Sequence, residues 1–193
     1  MVDCILAGAA RVLNDVPLAQ STTNRIADVA GVSVGSLYQY FGSKEAIGLA
    51  LVERHLEETV HLLAQARIAS RGHAAQRRVR MMFEEVLRDH RDAPGLHGNL
   101  FLLYRTLEHG DTVKDLVPQI VGEMAAVLRE ERPEADDAEI RLCATLAYQA
   151  GAQLAHSKLV HTSPRTALDY FDALVAANLK LLGTGGLCSG RQM

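Results

Sequence analysis

Cysteines, long apolar runs and an excess of positive charge are scarce or missing in this sequence of 193 residues. The three cysteines (Cys4, Cys143 and Cys188) lie far apart, without a C-x-x-C spacing. That arrangement disfavours a disulfide framework or a zinc site and fits a reducing cytoplasm. No run of about 18 uninterrupted apolar residues occurs, so we expect no membrane span. The first residues also lack the basic start and long apolar stretch of a signal peptide.

The formal net charge is −3, so the composition as a whole gives no indication of a nucleic-acid partner. Hydrophobic residues make up 48% and charged residues 22%, the balance of an ordinary globular protein rather than of a disordered chain. The length suits one or two small domains. Any interaction with DNA must therefore depend on a local surface.

Motifs that assemble a catalytic or metal site are also missing. The sequence contains no P-loop, no G-x-G-x-x-G after a strand, no H-E-x-x-H and no G-x-S-x-G. His156 and His161 are five residues apart, and His55 and His61 are six apart, so each pair points to different faces of a helix. We therefore expect no enzyme activity, no metal site and no cofactor.

Helical periodicity is present along nearly the whole chain, without sustained strand-like alternation. Apolar residues recur at helical spacing in about nine segments, which glycine, proline and capping residues separate. Pro118 should kink the seventh helix or divide it in two. The predicted fold class is all-α, with three short helices up to residue 41 and then a larger helical bundle. The glycine-rich residues 184–193 are expected to form a flexible tail.

The stretch TTNRIADVAGVSVGSLYQYFGSKEAI, residues 22–47, contains two short helices around Gly31, which matches a helix-turn-helix. The second of these helices has one obvious core residue, Leu37. The rest of it consists of residues that a core does not need: Val34, Gly35, Ser36, Tyr38, Gln39 and Tyr40. Hydroxyl and amide groups are suitable donors to phosphate oxygens, and Gln39 could pair with a base edge. The alternative is a plain helical hairpin whose tyrosines pack at an interface.

These residues resemble the DNA-binding region of the tetracycline-repressor (TetR) family, whose pattern reads T-x-x-x-I-A-x-x-A-G-V-S-x-G-x-L-Y-x-Y-F-x-S-K-E-x-L. The resemblance implies a three-helix DNA-binding domain over residues 1–46, with 34–40 as the recognition helix. The residues that it implies to contact phosphates are Thr23, Tyr38, Tyr40 and Lys44. Those that it implies to face the major groove are Val34, Gly35, Ser36 and Gln39. Asn24 stands where some relatives have a base-reading arginine, and whether Arg25 takes over that contact stays open.

Family members usually carry a short basic arm before the first helix, whereas this chain begins almost directly in it. Residues 1–44 are formally neutral, because three basic and three acidic residues balance. Since phosphate neutralisation dominates non-specific affinity, we expect weak binding away from the operator and a shallow salt dependence. A start codon annotated too late would also explain the missing arm.

Residues 47–183 are expected to form an effector-binding and dimerisation domain. A single helix-turn-helix contacts few base pairs, so specific binding requires two of them, related by two-fold symmetry. The family resemblance places the homodimer seam on the last two helices. Their apolar faces are formed by Ala147, Gly151, Ala155, Leu168, Phe171, Val175 and Leu179. The alternative is that these faces belong to the internal core.

By the same resemblance, the middle helices would hold a small-molecule effector of unknown identity. Candidate lining residues, which combine apolar surface with hydroxyl and amide groups, are Phe83, Leu100, Tyr104, Tyr148 and Gln149. The alternative is that these residues are core, since aromatic side chains at helical spacing belong to a core more often than to a pocket. The sequence thus predicts a homodimeric, cytoplasmic repressor that binds a palindromic double-stranded DNA operator and is released by its effector. The alternatives are a helical small-molecule-binding protein with little DNA affinity, and an enzyme assembled from distant residues.

Overall fold

The computed structural model describes residues 1–106, 111–157 and 162–182, and all regular structure within these ranges is helical. The all-α prediction with about nine helices is confirmed for the described residues. The helices are α1 Val2–Asp15, α2 Thr23–Ala30, α3 Val34–Tyr40, α4 Lys44–Ala69, α5 Ala75–Asp92, α6 Pro94–Thr106, α7 Asp111–Glu131, α8 Asp137–Ala155 and α9 Pro164–Leu181, with a 3-10 turn at Leu18–Gln20. The predicted tail, 184–193, lies outside the described residues.

Two expectations about single helices can be compared with these bounds. Pro118 lies inside α7, which continues through it, so the predicted division in two is wrong. Proline removes only one amide donor, and the buried side chains on both sides of it, such as Leu116 and Ile120, hold the helix together. Among the described residues, no helix combines the length and the apolar character needed to cross a bilayer.

Contacts divide the chain into two compact units. The first consists of Met1–Glu58 and His90–Leu116, and the second of Thr59–Asp89 and Val117–Met193. The first unit therefore contains the segment expected to bind DNA, residues 1–46, together with the beginning of α4 and all of α6.

In the first unit, α1 forms the centre of the three-helix N-terminal part. Its buried residues recur at helical spacing: Ile5, Leu6, Ala9, Val12 and Leu13. Gly8 lies where α1 crosses α2, since a Cβ at this position would be 2.7 Å from the Cβ of Ala30. The absence of a side chain at Gly8 thus allows the two helices to pack closely, and α2 in turn packs against α3.

The end of α1 is bound by α6. The Asn99 amide donates hydrogen bonds to the carbonyl oxygens of Leu13, at 2.6 Å, and Val16, at 3.3 Å. The Leu96 amide donates to the Asn14 side chain at 3.1 Å. Carbonyl groups at a helix C-terminus lack partners within the helix, so α6 supplies donors that α1 itself cannot. The contact fixes α6 to the N-terminal helices.

The core of the second unit contains the small-residue stripe of α8. A Cβ at Gly151 would lie 3.4 Å from the rings of both Phe171 and Phe83. These two rings pack with their centroids 4.1 Å apart. Gly151 therefore lets α8 approach the aromatic side chains of α9 and α5 within one chain.

This packing buries part of the predicted dimer seam within one chain. Phe171 is 0% exposed and Val175 2%, so neither presents surface to a second chain. The other predicted seam residues are also buried or half-buried within one chain: Ala147, Ala155, Leu168 and Leu179. The sequence shows which faces of α8 and α9 are apolar, but the structure places this face inside the protein.

Candidate nucleic-acid interface

Local hydrogen bonds fix the start and the end of α2. The Thr22 hydroxyl accepts from the Arg25 amide at 3.1 Å, which satisfies one of the donors that a helix N-terminus leaves open. Gly31 ends the helix in the left-handed region, with φ 69° and ψ 31°. A residue with a side chain is strained in this conformation, and this explains the glycine in the turn.

The second helix of the motif begins with a cap as well. The Ser33 hydroxyl accepts from the Ser36 amide at 2.9 Å. Leu37 is the buried residue of α3 and is 0% exposed, as are Ile26 and Ala27 of α2. One leucine and one cap thus hold a seven-residue helix against α2 and leave the rest of its surface open.

The open surface of α3 carries the side chains predicted to contact DNA. Tyr38 is 52% exposed and Tyr40 50%, and Gln39 and Gly35 are exposed too. Val34 and Ser36 are half-buried. Large aromatic side chains are normally packed in a core, so two half-exposed tyrosines on one short helix indicate a surface that contacts something else.

Glycine at position 35 is not required by the packing of the chain itself. Only the Ser33 hydroxyl oxygen lies within 4 Å of a Cβ built there, at 3.8 Å, an ordinary van der Waals contact. An alanine would therefore fit. The missing side chain leaves space on the outer face of α3, where the backbone of the helix can be approached closely by a partner.

Two predicted phosphate-contacting residues lie side by side. The hydroxyl groups of Thr23 on α2 and Tyr38 on α3 are 3.1 Å apart, within hydrogen-bond distance. Thr23 is half-buried, at the first position of α2. The pair places two hydroxyl groups next to each other on one patch of surface.

Lys44 has a different environment from the one expected. Its ammonium group donates to the carbonyl oxygens of Leu18, Ala19 and Ser21, at 3.0, 3.2 and 3.2 Å. An ammonium group has three donors, so the backbone accepts all of them. In this structure Lys44 connects the start of α4 to the 3-10 turn after α1. The structure thus gives Lys44 a positioning role within the chain, and its predicted contact with a phosphate stays a prediction.

The remaining predicted position, Asn24, is exposed on the first turn of α2. Its neighbour Arg25 is also exposed, and its guanidinium lies 3.9 Å from the Asp15 carboxylate, a weak surface ion pair. Arg25 therefore remains available at the edge of the interface.

Family models match most of the chain. Residues 5–51 match "Bacterial regulatory proteins, tetR family", and residues 75–181 match "Tetracyclin repressor-like, C-terminal domain". This chain belongs to the TetR family. No curated protein matches it. The family interpretation drawn from the residues of the helix-turn-helix is thereby confirmed.

Solved structures of TetR regulators share the fold over nearly the whole chain. A putative tetR family regulator from Shewanella sp. PV-4 has a TM-score of 0.68 and 20% identity, covering 94% of this chain and 97% of its own. FadR from Bacillus subtilis, in complex with stearoyl-CoA, has a TM-score of 0.70 and 18% identity, covering 96% and 99%. A TetR-family regulator from Streptomyces coelicolor has a TM-score of 0.66 and 23% identity, covering 93% and 97%. At these identities the likeness concerns the fold alone.

The effector residues expected for a TetR regulator are divided between the two units. Leu100, which is buried, and Tyr104, which is half-buried, belong to the first unit. Phe83 is buried in the core of the second unit, where Tyr148 is half-buried and Gln149 exposed. The second unit also contains a small cleft lined by Val79, Met124, Leu128, Cys143, Ala147, Val175, Asn178 and Leu179. Burial raises the pKa of the Cys143 thiol, so this group stays protonated in the cleft.

A histidine cluster in the first unit was not foreseen. The rings of His55 on α4, His90 on α5 and His97 on α6 meet there, although they are up to 42 residues apart in the sequence. Spacing within one helix does not reveal the cluster, because its three histidines lie on three different helices. The spacing of seven between His90 and His97, on both sides of the break at Pro94, is the one signal that could have suggested it.

Proposed function

We propose that this TetR-family protein is a cytoplasmic, ligand-responsive repressor that binds a palindromic DNA operator as a homodimer. The observation that carries the proposal is the exposed face of α3. A capped helix with one buried residue, Leu37, presents Tyr38, Gln39 and Tyr40 to solvent. Residues 1–46 act as the DNA-binding domain, and residues 47–183 provide the dimer seam and the effector site.

On the operator, α3 lies in the major groove. Gln39 reads a base edge, and Gly35 allows the helix backbone to approach the DNA, with Val34 and Ser36 beside it. Thr23, Tyr38 and Tyr40 donate their hydroxyl groups to phosphates on both sides of the groove. Support comes from the exposure of Gln39 and from the open space at Gly35.

The homodimer forms through faces of α8 and α9 that remain exposed in one chain. Leu142 and Leu146, one turn apart on α8, are 44% and 42% exposed. On α9, Tyr170 and Leu174 are also one turn apart, with 61% and 46% exposed. Exposed apolar residues that recur along two adjacent helices are typical of a helix–helix interface with another chain. They take the place of the buried stripe that the sequence suggested.

A small molecule that binds the helical bundle changes the separation of the two recognition helices, so that they no longer fit successive half-sites. The coupling is the difference in ligand affinity between the two dimer shapes. The stearoyl-CoA bound by Bacillus subtilis FadR, a chain of the same fold, supports a small-molecule effector of some kind. It does not identify the effector of this protein.

The experiment is a fluorescence-anisotropy titration of the protein with DNA from upstream of its own gene, at several salt concentrations. We expect a salt-sensitive complex. Tyr38→Phe should weaken binding to all sequences about equally, whereas Gln39→Ala should change the sequence preference. A dimer that binds no DNA at low salt would overturn the proposal and favour the alternative, a helical small-molecule-binding protein.

A further inference from the structure

We propose that His55, His90 and His97 form a binding site for a divalent transition-metal ion of the Zn²⁺ type. The inference goes beyond the proposed function and does not depend on it. Each histidine comes from a different helix, and each can offer one ring nitrogen such that the three atoms lie within 4.8 Å of one another. All three belong to the first unit.

The surroundings of the cluster are those of an enclosed site. His90 is 4% exposed and His97 7%, while His55 is half-buried. Two of the three side chains are therefore shielded from water, and the third is partly exposed. Histidine is seldom so completely buried, and two buried histidines in contact with a third are unexpected for packing alone.

The three rings of the cluster are in mutual contact. The rings of His90 and His97 are stacked, with centroids 4.1 Å apart and an angle of 18° between their planes. His55 meets them edge-on, at 4.8 Å from His97 and 5.4 Å from His90. In its neutral form each imidazole can offer one ring nitrogen to an ion, and such nitrogens of all three rings lie within 4.8 Å of one another.

Binding requires only a small contraction of the cluster. In a tetrahedral site with Zn–N bonds of about 2.0 Å, two ligand nitrogens are about 3.3 Å apart. The nitrogens of the cluster can approach to this distance by rotation of the rings about χ2, a torsion with a broad energy minimum. Three ligands leave one tetrahedral position for water or another donor, and an all-imidazole set suits Zn²⁺, Co²⁺, Ni²⁺ or Cu²⁺.

The helices that carry the cluster also hold the N-terminal part of the first unit. Lys44, at the start of α4, binds the 3-10 turn after α1, and Asn99 on α6 binds the end of α1. An ion held by His55 and His97 would tie these two helices to each other at a second point. The expected physical effect is a more stable first unit in the presence of the metal.

The test uses the full-length protein, freed of metal with a chelator and titrated with Co²⁺ in the absence of DNA. We expect one Co²⁺ per chain and the intense visible absorption of a four- or five-coordinate ion, which Zn²⁺ then displaces. Zn²⁺ should also raise the Tm. His55→Gln should weaken Co²⁺ binding by on the order of 100-fold or more and abolish the Tm shift.

The matched control is His61→Gln, because His61 is exposed on the same helix and lies outside the cluster. It should bind Co²⁺ like the unaltered protein. His55 is the half-buried member, so its replacement is the one that the fold tolerates best, and circular dichroism checks this. A Co²⁺ spectrum that stays that of the hydrated six-coordinate ion would overturn the proposal, and so would equal Co²⁺ affinity in His55→Gln and the unaltered protein. Since no DNA is present, neither result depends on whether the protein binds an operator.

Discussion

At the scale of single residues, packing within the chain does not require the glycine at position 35. Its own chain leaves room for a Cβ, and glycine lowers the stability of a helix relative to alanine. Gly35 weakens the helix and relieves no contact within the chain. The close approach of DNA proposed above would account for a glycine at this position. The physical reason is the same as for a glycine beneath a bound phosphate: the missing side chain brings the backbone nearer.

We therefore expect Gly35→Ala to fold normally, with the free energy of unfolding raised by about 0.5 kcal/mol. The same change should lower operator affinity at least several-fold, because the methyl group occupies the approach to the helix. Urea denaturation measures the first effect and fluorescence anisotropy the second.

The matched control is Gly98→Ala on α6, where nothing lies within 4 Å of the added Cβ and the position is exposed. It should stabilise the protein in the same way and leave operator affinity unchanged. Unaltered affinity in Gly35→Ala would show that the DNA does not approach α3 at this position.

At the scale of helices, α6 and the end of α1 form one hydrogen-bonded contact with very little space. A Cβ at Gly95 would lie 1.9 Å from the carbonyl oxygen of Asn14, so an alanine cannot fit unless a backbone segment moves. Asn99 supplies the donors beside it. This contact makes the position of α6 dependent on α1.

Gly95→Ala should consequently destabilise the protein by about 2 kcal/mol or more, the usual cost of overpacking. The measurement is urea or thermal unfolding, and Gly98→Ala serves again as the control, since it adds the same methyl group to the same helix without a clash. Equal free energies of unfolding in the two variants would show that Gly95 does not pack tightly against the end of α1.

Arginines of α5 connect helices of the second unit through ion pairs. Arg78 on α5, whose side chain is 5% exposed, donates to the Glu130 carboxylate on α7 at 2.6 Å and to the Arg67 carbonyl oxygen at 3.3 Å. The hydrogen bond from Arg78 holds the pKa of Glu130 below its usual value. A nearby contact of the same kind joins Arg80 to Glu84 and Asp172, which raises the pKa of Arg80.

The ion pair between Arg78 and Glu130 predicts that the free energy of unfolding depends on pH. The pKa of Glu130 is lowered in the folded state. The contribution of this carboxylate to the free energy of unfolding is therefore present above the ordinary carboxyl pKa and is lost as the pH falls through the lowered pKa. Glu130→Gln should therefore lower the free energy of unfolding near pH 7, since Arg78 loses a charged partner, but only by about 0.5–1 kcal/mol, because the Glu130 side chain is 49% exposed and solvent screens the pair. The difference from the unaltered protein should shrink as the medium becomes acidic.

Urea unfolding at a series of pH values measures this effect. Glu134→Gln, at an exposed position of the turn after α7, removes the same charge without touching Arg78 and should leave stability nearly unchanged at every pH. A Glu130→Gln difference that is constant with pH would contradict the assigned ion pair.

At the scale of the whole molecule, two exposed apolar surfaces can be compared. Leu146 and Leu174 lie on the faces of α8 and α9 proposed to form the dimer, and Leu102, 56% exposed, lies on α6 of the first unit. Only a seam residue should influence the number of subunits.

We expect the double change Leu146→Asp and Leu174→Asp to produce monomers, because two carboxylates on each chain would have to be buried against those of the partner. Sedimentation equilibrium measures the mass, and operator affinity should fall with it, since one recognition helix contacts few base pairs. Leu102→Asp should leave the mass unchanged. A double variant that remains dimeric would place the seam elsewhere.

The sequence by itself determined the helix-turn-helix, its boundaries and the family. Thr22, Gly31 and Ser33 act through hydrogen bonds and φ preferences within four residues, so local sequence is sufficient to place α2 and α3. The single buried residue of α3, Leu37, could be read from the same few positions. Because Leu37 faces the core, the next residue of the helix, Tyr38, is exposed to solvent.

Only the tertiary structure decided the roles that depend on residues distant in sequence. Both helices α8 and α9 have more than one apolar stripe, and packing against Phe83 buries the stripe with Gly151, so the dimer interface is proposed on the exposed face with Leu146 instead. The three donors of Lys44 bind carbonyl groups 23 to 26 residues earlier. The meeting of His55 with His97 likewise results from the packing of three helices. Helical periodicity specifies that a face is apolar, but the partner of that face is set by the folding of the whole chain.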